Sequence, residues 1–298
     1  MSRVFDALQR SGTEQSGIEY PDLMSMVKEV FEAPPNPVSG EVAALNQPVP
    51  EIPATEKVVS VLDSFPSLKV RVQGNSRLVF FTEPDSLAAE KFRFLGVRLR
   101  QLQTTRSLKK ILVTSTIPEE GKSLVSANLA GVLTRKKQKV LLIEGDLRRP
   151  TLAREFGLGR LAGIGEWLQG EPRAVSNIYH LEGPNFWLMP AGDPPANPLE
   201  LMQSGRLTQL MEQLSTMFDW IVVDSPPLLP LADTTVWARL TDGTLLVARE
   251  GKTEKAPLQR GLEILKKADL LGVVLNGCSS SDYQNYYQRY SSPQSETK

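Results

Sequence analysis

Three short segments of this 298-residue chain carry residue types suited to holding phosphate and a divalent cation. The first is Ile117-Pro118-Glu119-Glu120-Gly121-Lys122-Ser123-Leu124, which follows an apolar run at 110–114 and opens a helical pattern over 123–137. A Gly-Lys-Ser turn between a strand and a helix is the setting of a phosphate-binding loop. There, backbone N–H groups point inward and the helix N-terminus adds the positive end of its dipole. In that setting Lys122 reaches the β- and γ-phosphates and the Ser123 hydroxyl ligates Mg²⁺. The first glycine of the usual G-x-x-x-x-G-K-S/T loop is replaced by Thr116. The tripeptide alone arises by chance about 0.1–0.2 times in a chain of this length, and its plain alternative is a polar helix start with Lys122 in solvent.

The other two segments end on carboxylates. VLLIEGDLRRP places Glu144 and Asp146 directly after a buried-strand pattern, and FDWIVVDSPP does the same for Asp224. Parallel strands end along one edge of a sheet, where ligands bind. Carboxylates on that edge hold Mg²⁺ directly or through water, as phosphoryl transfer requires. A single acid after a strand is usually a loop residue or an N-cap. Three of them on the edge that carries Gly-Lys-Ser predict a Mg-ATP site.

The elements that must position these residues alternate. Short continuous apolar runs at 110–114, 140–143, 186–189, 220–223, 243–248 and 272–275 read as strands, with helices over 123–137, 197–218 and 258–267. Buried strands alternating with helices predict a doubly wound α/β fold, a mostly parallel sheet covered on both faces. The expected organisation is an N-terminal helical segment (1–32), a linker (33–57), the α/β domain (58–280) and a disordered tail (281–298). The linker contains Pro34, Pro35, Pro37, Pro48, Pro50 and Pro53, which no regular helix accommodates. Residues 58–82 carry two β-like runs, VVSVL and RLVFF.

Composition narrows the chemistry further. Lys plus Arg and Asp plus Glu are 34 each, a formal net charge of zero, so nothing marks the chain for wholesale nucleic-acid binding. Cys278 and His180 are the only residues of their types. They exclude an internal disulfide and any multi-cysteine or two-histidine metal site, and both read as structural. No apolar run approaches the length of a membrane span, and the N-terminus lacks a secretion signal. The expectation is a cytoplasmic protein.

Taken together, these residues resemble the bacterial protein-tyrosine kinases of the CpsD/CapB type, which accompany exopolysaccharide and capsule export. The resemblance runs from about Arg77 to Tyr290. The 117–123 segment looks like the family's Walker A loop, LLIEGDLRRP is similar to its Walker A′ motif, and WIVVDSPP to its Walker B. PAG at 190–192 followed by NPLEL at 197–201, and GVVLN at 272–276, match further family stretches. The tail SDYQNYYQRY holds Tyr283, Tyr286, Tyr287 and Tyr290, four of the six tyrosines in the chain.

The resemblance implies a P-loop NTPase-like fold and an ATP- and Mg²⁺-dependent tyrosine autokinase. Residues 118–124 would bind phosphate, and Ser123, Asp146 and Asp224 would organise the metal. Asp146 or its neighbour Glu144 would accept the tyrosine proton. The four tail tyrosines would be the substrate, and the roughly 20–24 Å r.m.s. reach of a flexible 16-residue tail permits it. The resemblance also implies a separate transmembrane adaptor of the polysaccharide co-polymerase type, a membrane-peripheral location through that adaptor, and a homo-oligomer.

Three positions depart from the family pattern. Glu144 stands where the family has Asp, Glu119 where it has a small residue, and Gly96 at the last place of the oligomerisation motif Glu-x-x-Arg-x-x-Arg, whose first two places are Glu90 and Arg93. The alternatives are a MinD/ParA-like ATPase and an ATP-binding scaffold without phosphoryl transfer. The first lacks its signature lysine here, because Ile117 occupies that position. The second would leave the tail unmodified.

Overall fold

The computed structural model describes residues 61–72, 74, 76–170, 177–229, 231–266 and 268–278. The chain divides into two units, Met1–Ser64 and Phe65–Lys298. Of the first, one 3₁₀ turn at Val61–Ser64 is described. The expected helical segment at 1–32, the linker at 33–57 and the tyrosine tail at 281–298 lie outside the described residues.

The second unit runs β1 (Ser67–Lys69), α1 (Val79–Thr82), α2 (Leu87–Thr105), β2 (Lys110–Ser115), α3 (Lys122–Leu133), β3 (Val140–Glu144), α4 (Leu152–Glu155), α5 (Ile164–Leu168) and β4 (Tyr179–Glu182). It continues through β5 (Phe186–Met189), α6 (Pro198–Met202), α7 (Arg206–Met217), β6 (Trp220–Asp224), α8 (Asp233–Leu240), β7 (Gly243–Arg249), α9 (Lys255–Leu265) and β8 (Leu270–Asn276). The strands form one eight-stranded sheet in the order β1-β4-β5-β3-β6-β2-β7-β8. Every pairing is parallel except β4 with β5. This is the mostly parallel α/β sheet expected from the alternation of apolar runs and helices, and the P-loop NTPase-like architecture that the family resemblance implies.

The sequence of the central strands explains their place. VLLIE and WIVVD are buried at every position, as is β2 after Lys110, because both faces of a parallel sheet are covered. Helix α3 is buried from Val125 to Leu133, so its apolar character on all sides is that of an internal helix. Each Leu, Ile or Val sealed there contributes about 1.5–3 kcal/mol. The register aligns Glu144 with Asp224 and Val113 with Asp224 across neighbouring strands. The carboxylate-bearing strand ends and the loop after β2 therefore meet at one edge.

Helix α2 begins at Ser86, whose hydroxyl accepts from Ala89 N–H at 3.1 Å. It buries Ala89, Gly96 and Leu99. A Cβ at Gly96 would stand 3.2 Å from Val132 Cγ2 on α3, so position 96 faces inward in this chain. The nearby arginines serve the fold. Arg93 pairs with Glu90 at 2.7 Å and donates to Pro84 O at 2.5 Å. Arg100 donates to Val132 O at 2.8 Å and, more weakly, to Leu133 O, which satisfies carbonyls at the C-terminus of α3. Replacing Arg100 with alanine is expected to cost about 1–2 kcal/mol, read as a lower denaturation midpoint with an unchanged m-value.

Several elements differ from the sequence reading. RLVFF is no strand: Val79–Thr82 forms a helical turn, closed by bonds from Phe81 and Thr82 N–H to Leu78 O. The Phe80 N–H is taken by Asn128 Oδ1 on α3 at 3.0 Å, a tertiary contact that overrides local β preference. The end of VVSVL, residues 61–62, belongs to the 3₁₀ turn. The single helix expected over 197–218 is two, α6 and α7, because Gly205 takes a left-handed φ of 78° and turns the chain. Helix α3 stops at Leu133 and passes into a 3₁₀ turn at Arg135–Lys137. Strands β1 and β4 were not legible in the sequence; β1 is three residues long and largely exposed, so no apolar run marks it.

Candidate active site

The loop after β2 is held from behind by a carboxylate. Glu120 is fully buried and accepts hydrogen bonds from Thr116 Oγ1 at 3.0 Å, from Ile117 N–H at 2.9 Å and from the Thr253 hydroxyl. Thr116, which stands in the place of the first Walker glycine, is thus one of the struts of the loop. The Glu120 carbonyl accepts from Asn276 Nδ2 at 2.9 Å, which ties the loop to the end of β8. Gly121 follows with φ +94°, and a Cβ there would lie 2.1 Å from Asn276 Nδ2. Only glycine meets both demands. Gly121→Ala is therefore expected to lower nucleotide affinity at least about tenfold by displacing loop N–H groups from the phosphate position, checked by titration with a fluorescent ADP analogue.

Beyond Gly121 the first-turn amides of α3 have no intrahelical acceptors and face the cleft. Lys122 Nζ lies 3.3 Å from Asp146 Oδ2 and 3.3 Å from Ser123 Oγ. Burial pulls the Lys122 pKa down, but the surrounding carboxylates of Asp224, Asp146 and Glu144 outweigh it and raise it. The lysine is a fixed cation. Asp146 Oδ1 accepts from the backbone N–H groups of Arg148 and Arg149 at 3.3 and 3.0 Å, so one oxygen is anchored while the other faces Lys122.

Glu144 is placed differently. Oε1 accepts from Thr151 and Leu152 N–H, each at 2.5 Å, and Oε2 from Ala191 N–H at 3.1 Å. The side chain joins the end of β3 to the start of α4 and to the loop after β5, away from the cleft. Burial pushes its carboxyl above the ordinary range, against the pull of the three amides.

Asp224 is fully buried. Its Oδ1 accepts from Ser126 Oγ at 3.2 Å, whereas Oδ2 has no hydrogen-bond partner among the described residues. Burial raises its pKa, and Lys122 and the Ser123 hydroxyl act in the opposite direction. An orphaned carboxylate oxygen beside a lysine and a P-loop serine fits a divalent cation that completes its shell with phosphate oxygens and water. Among the described residues no cluster of three or more His, Cys, Asp or Glu could hold a metal unaided.

The loop, Lys122 and Asp146 floor a cleft of about 1220 Å³. Of the residues singled out in the sequence, Pro118, Glu119, Gly121, Lys122, Ser123, Leu124 and Asp146 line it, while Glu120, Glu144 and Asp224 stand behind it. The four tail tyrosines lie outside the described residues. Glu119 adopts φ 65°, a region that favours glycine. Its carboxylate turns outward to pair with Lys252, which neutralises the charge the sequence adds to the loop. Sequence reasoning missed Asn276, whose signal is a polar residue ending an apolar run, as at Glu144. It also passed over the arginines of the walls: Arg77, Arg148, Arg149, Arg154 and Arg249.

A parallel sheet with a P-loop and two acidic strand ends defines a nucleotide-dependent phosphoryl-transfer protein. The chain is 35% identical over 223 residues to the tyrosine-protein kinase YwqD of Bacillus subtilis (strain 168), a match covering 72% of this chain and 91% of that one. It is 31% identical over 236 residues to the tyrosine-protein kinase ptk of Acinetobacter johnsonii, covering 79% of this chain but 31% of that longer relative. Among solved structures, the kinase domain of the Escherichia coli tyrosine kinase ETK aligns with a TM-score of 0.64 at 28% identity, over 71% of this chain and 85% of that one. The chimerical protein CapA2B2 aligns at 0.66 with 27% identity, over 76% and 100%. The septum site-determining protein MinD of Pyrococcus horikoshii, complexed with Mg-ADP, shares the fold at a TM-score of 0.50 and 22% identity, over 61% and 76%. No protein-family profile matches. The chain belongs to the bacterial tyrosine-protein kinases, and it is an enzyme of that class.

Proposed function

We propose that the chain is an autokinase that moves the γ-phosphate of ATP to the tyrosines of its own tail, Tyr283, Tyr286, Tyr287 and Tyr290, in the service of exopolysaccharide or capsule export. The observation that carries this reading is the Lys122–Asp146 pair, 3.3 Å apart and almost sealed from solvent. Phosphate oxygens at the loop draw the Lys122 ammonium to themselves and release Asp146 Oδ2 as a proton acceptor. The tyrosine Oη–H then gives its proton to Asp146, the Oη–P bond forms, and the bond from phosphorus to the bridging oxygen breaks with ADP as leaving group. Mg²⁺, when bound, neutralises phosphate charge; Ser123 and Asp224 are the residues that would hold it. Glu144 is assigned to positioning, since its acceptor sites are spent on three backbone amides.

The reading in which ATP is bound but never transferred drew its support from Glu144 and Gly96. With Asp146 facing Lys122 and Gly96 packed on α3, both departures have structural reasons. Among the described residues no helix is long and apolar enough to cross a membrane. The proposal includes recruitment by a separate membrane-spanning adaptor, as the family resemblance implies. Incubation of the full chain with MgATP, followed by intact-mass measurement and mapping of residues 279–298, tests the proposal. Phosphate increments on the tail tyrosines support it; ATP binding with an unmodified tail, also in the presence of the adaptor's cytoplasmic segment, overturns it.

A further inference from the structure

The cleft is larger than the roughly 300–1,000 Å³ of a typical small-ligand pocket, and its walls carry more cation than the loop alone needs. Lys122, Arg77, Arg148, Arg149, Arg154 and Arg249 all line it. Two of these arginines are already engaged. Arg148 makes a two-pronged pair with Asp233 at 2.7 and 3.1 Å, and Arg249 donates to Glu119 O at 3.1 Å. Among the described residues the side chains of Arg77, Arg149 and Arg154 make no ion pair or hydrogen bond, and all three are exposed.

Arg149 and Arg154 both line the cleft and lie five residues apart in the chain. Lys122 leans toward Asp146, so the transferable phosphate and its acceptor belong on the β3 side of the loop. Arg149 follows Asp146 by three residues and its N–H holds Asp146 Oδ1. Arg154 lies in α4, on the same stretch of chain, and Glu155 is the acidic neighbour there. Free guanidinium groups beside an acceptor position favour a dianionic phosphate ester, which they bind in a bidentate manner that lysine cannot match.

The tail supplies such a group only after reaction. Residues 281–298 contain Asp282, Glu296, Arg289 and Lys298, a formal balance of zero. Each phosphotyrosine adds a charge of about −1.5 to −2. The tyrosines at 283, 286, 287 and 290 are separated by three, one and three residues, and three extended residues span about 10 Å. We propose that Arg149 and Arg154 form a phosphotyrosine subsite next to the acceptor position. A tail tyrosine already modified docks there and holds the next one against Asp146, so that phosphates are added with increasing ease. The proposal rests on the autokinase reading and adds an order to it.

Two measurements on the full chain test it. In a time course with MgATP, intact masses give the rate constant of each successive phosphate. In Arg149→Ala/Arg154→Ala the ratio of later to first rate constants is expected to fall about tenfold relative to wild type, with partial recovery in Arg149→Lys/Arg154→Lys. An unchanged ratio overturns the subsite, and so does a first step slowed as much as the later ones. Separately, the chain with all four tail tyrosines changed to phenylalanine is saturated with MgADP and titrated with a synthetic 281–298 peptide phosphorylated at Tyr286. Binding is expected to weaken about tenfold without the phosphate or without the two arginines; indifference to either overturns the proposal. If the wild type takes up no phosphate yet this peptide binds through the arginines, the subsite stands and the autokinase reading falls.

Discussion

Lys122→Met is expected to reduce tail phosphorylation at least about 10³-fold, because it removes a largely buried cation aimed at the transfer position. The measurement is phosphate incorporation by intact mass, with thermal denaturation alongside. A methionine fits the volume, so the fold should persist. The substitution does leave Asp224 and Asp146 facing each other without their shared counter-charge. The variant is therefore expected to gain more stability from added Mg²⁺ than the wild type does. Phosphorylation within a few-fold of wild type would remove Lys122 from the mechanism.

The second large effect falls on Glu144. Alanine at this position strands the buried N–H groups of Leu152 and Ala191 and the partly buried one of Thr151, each costing about 1–3 kcal/mol when unpaired. Allowing for partial relaxation, a loss of about 3–5 kcal/mol is expected. For a domain of this size that corresponds to a melting temperature lower by about 6–20 °C. Glu144→Asp, the residue the family resemblance leads one to expect, is one methylene short of the amides it must reach and should cost about 1–2 kcal/mol. Asp146→Asn separates the two roles. It should fold normally and bind ADP, yet transfer phosphate about 10²–10⁴-fold more slowly. A stable Glu144→Ala protein with a comparable rate defect would exchange the assignments of the two acids.

The parts of this site that repeat a pattern along the chain were legible in the sequence. Continuous apolar runs become β2, β3 and β6 because a doubly covered sheet leaves no polar face to interrupt them. The positions of Lys122, Ser123, Asp146 and Asp224 follow from where those runs stop. What could not be read was set by contacts between distant segments. Glu144 and Asp146 are both acids at the end of one strand, and only the amides of Thr151, Leu152 and Ala191 assign them different work. Glu120 reads as a loop carboxylate near phosphate, yet Thr116 and Thr253 enclose it. RLVFF has the composition of a strand, but Asn128, some fifty residues away, takes the Phe80 N–H. Gly96 departs from an arginine motif, and the reason is the methyl group of Val132.

The bond from Asn276 to the Glu120 carbonyl has a mechanical meaning. Asn276 is the last residue of β8, the edge strand of the sheet, and precedes Tyr283 by seven residues in the sequence. The end of β8 and the phosphate loop are thus joined through the Asn276 amide group. By reciprocity of linked equilibria, whatever settles in the phosphate loop stiffens the end of β8. A load applied to the end of β8 pulls on the loop and weakens its hold on phosphate. Under the autokinase proposal, the segment that receives phosphate follows in sequence the strand end that holds the phosphate loop.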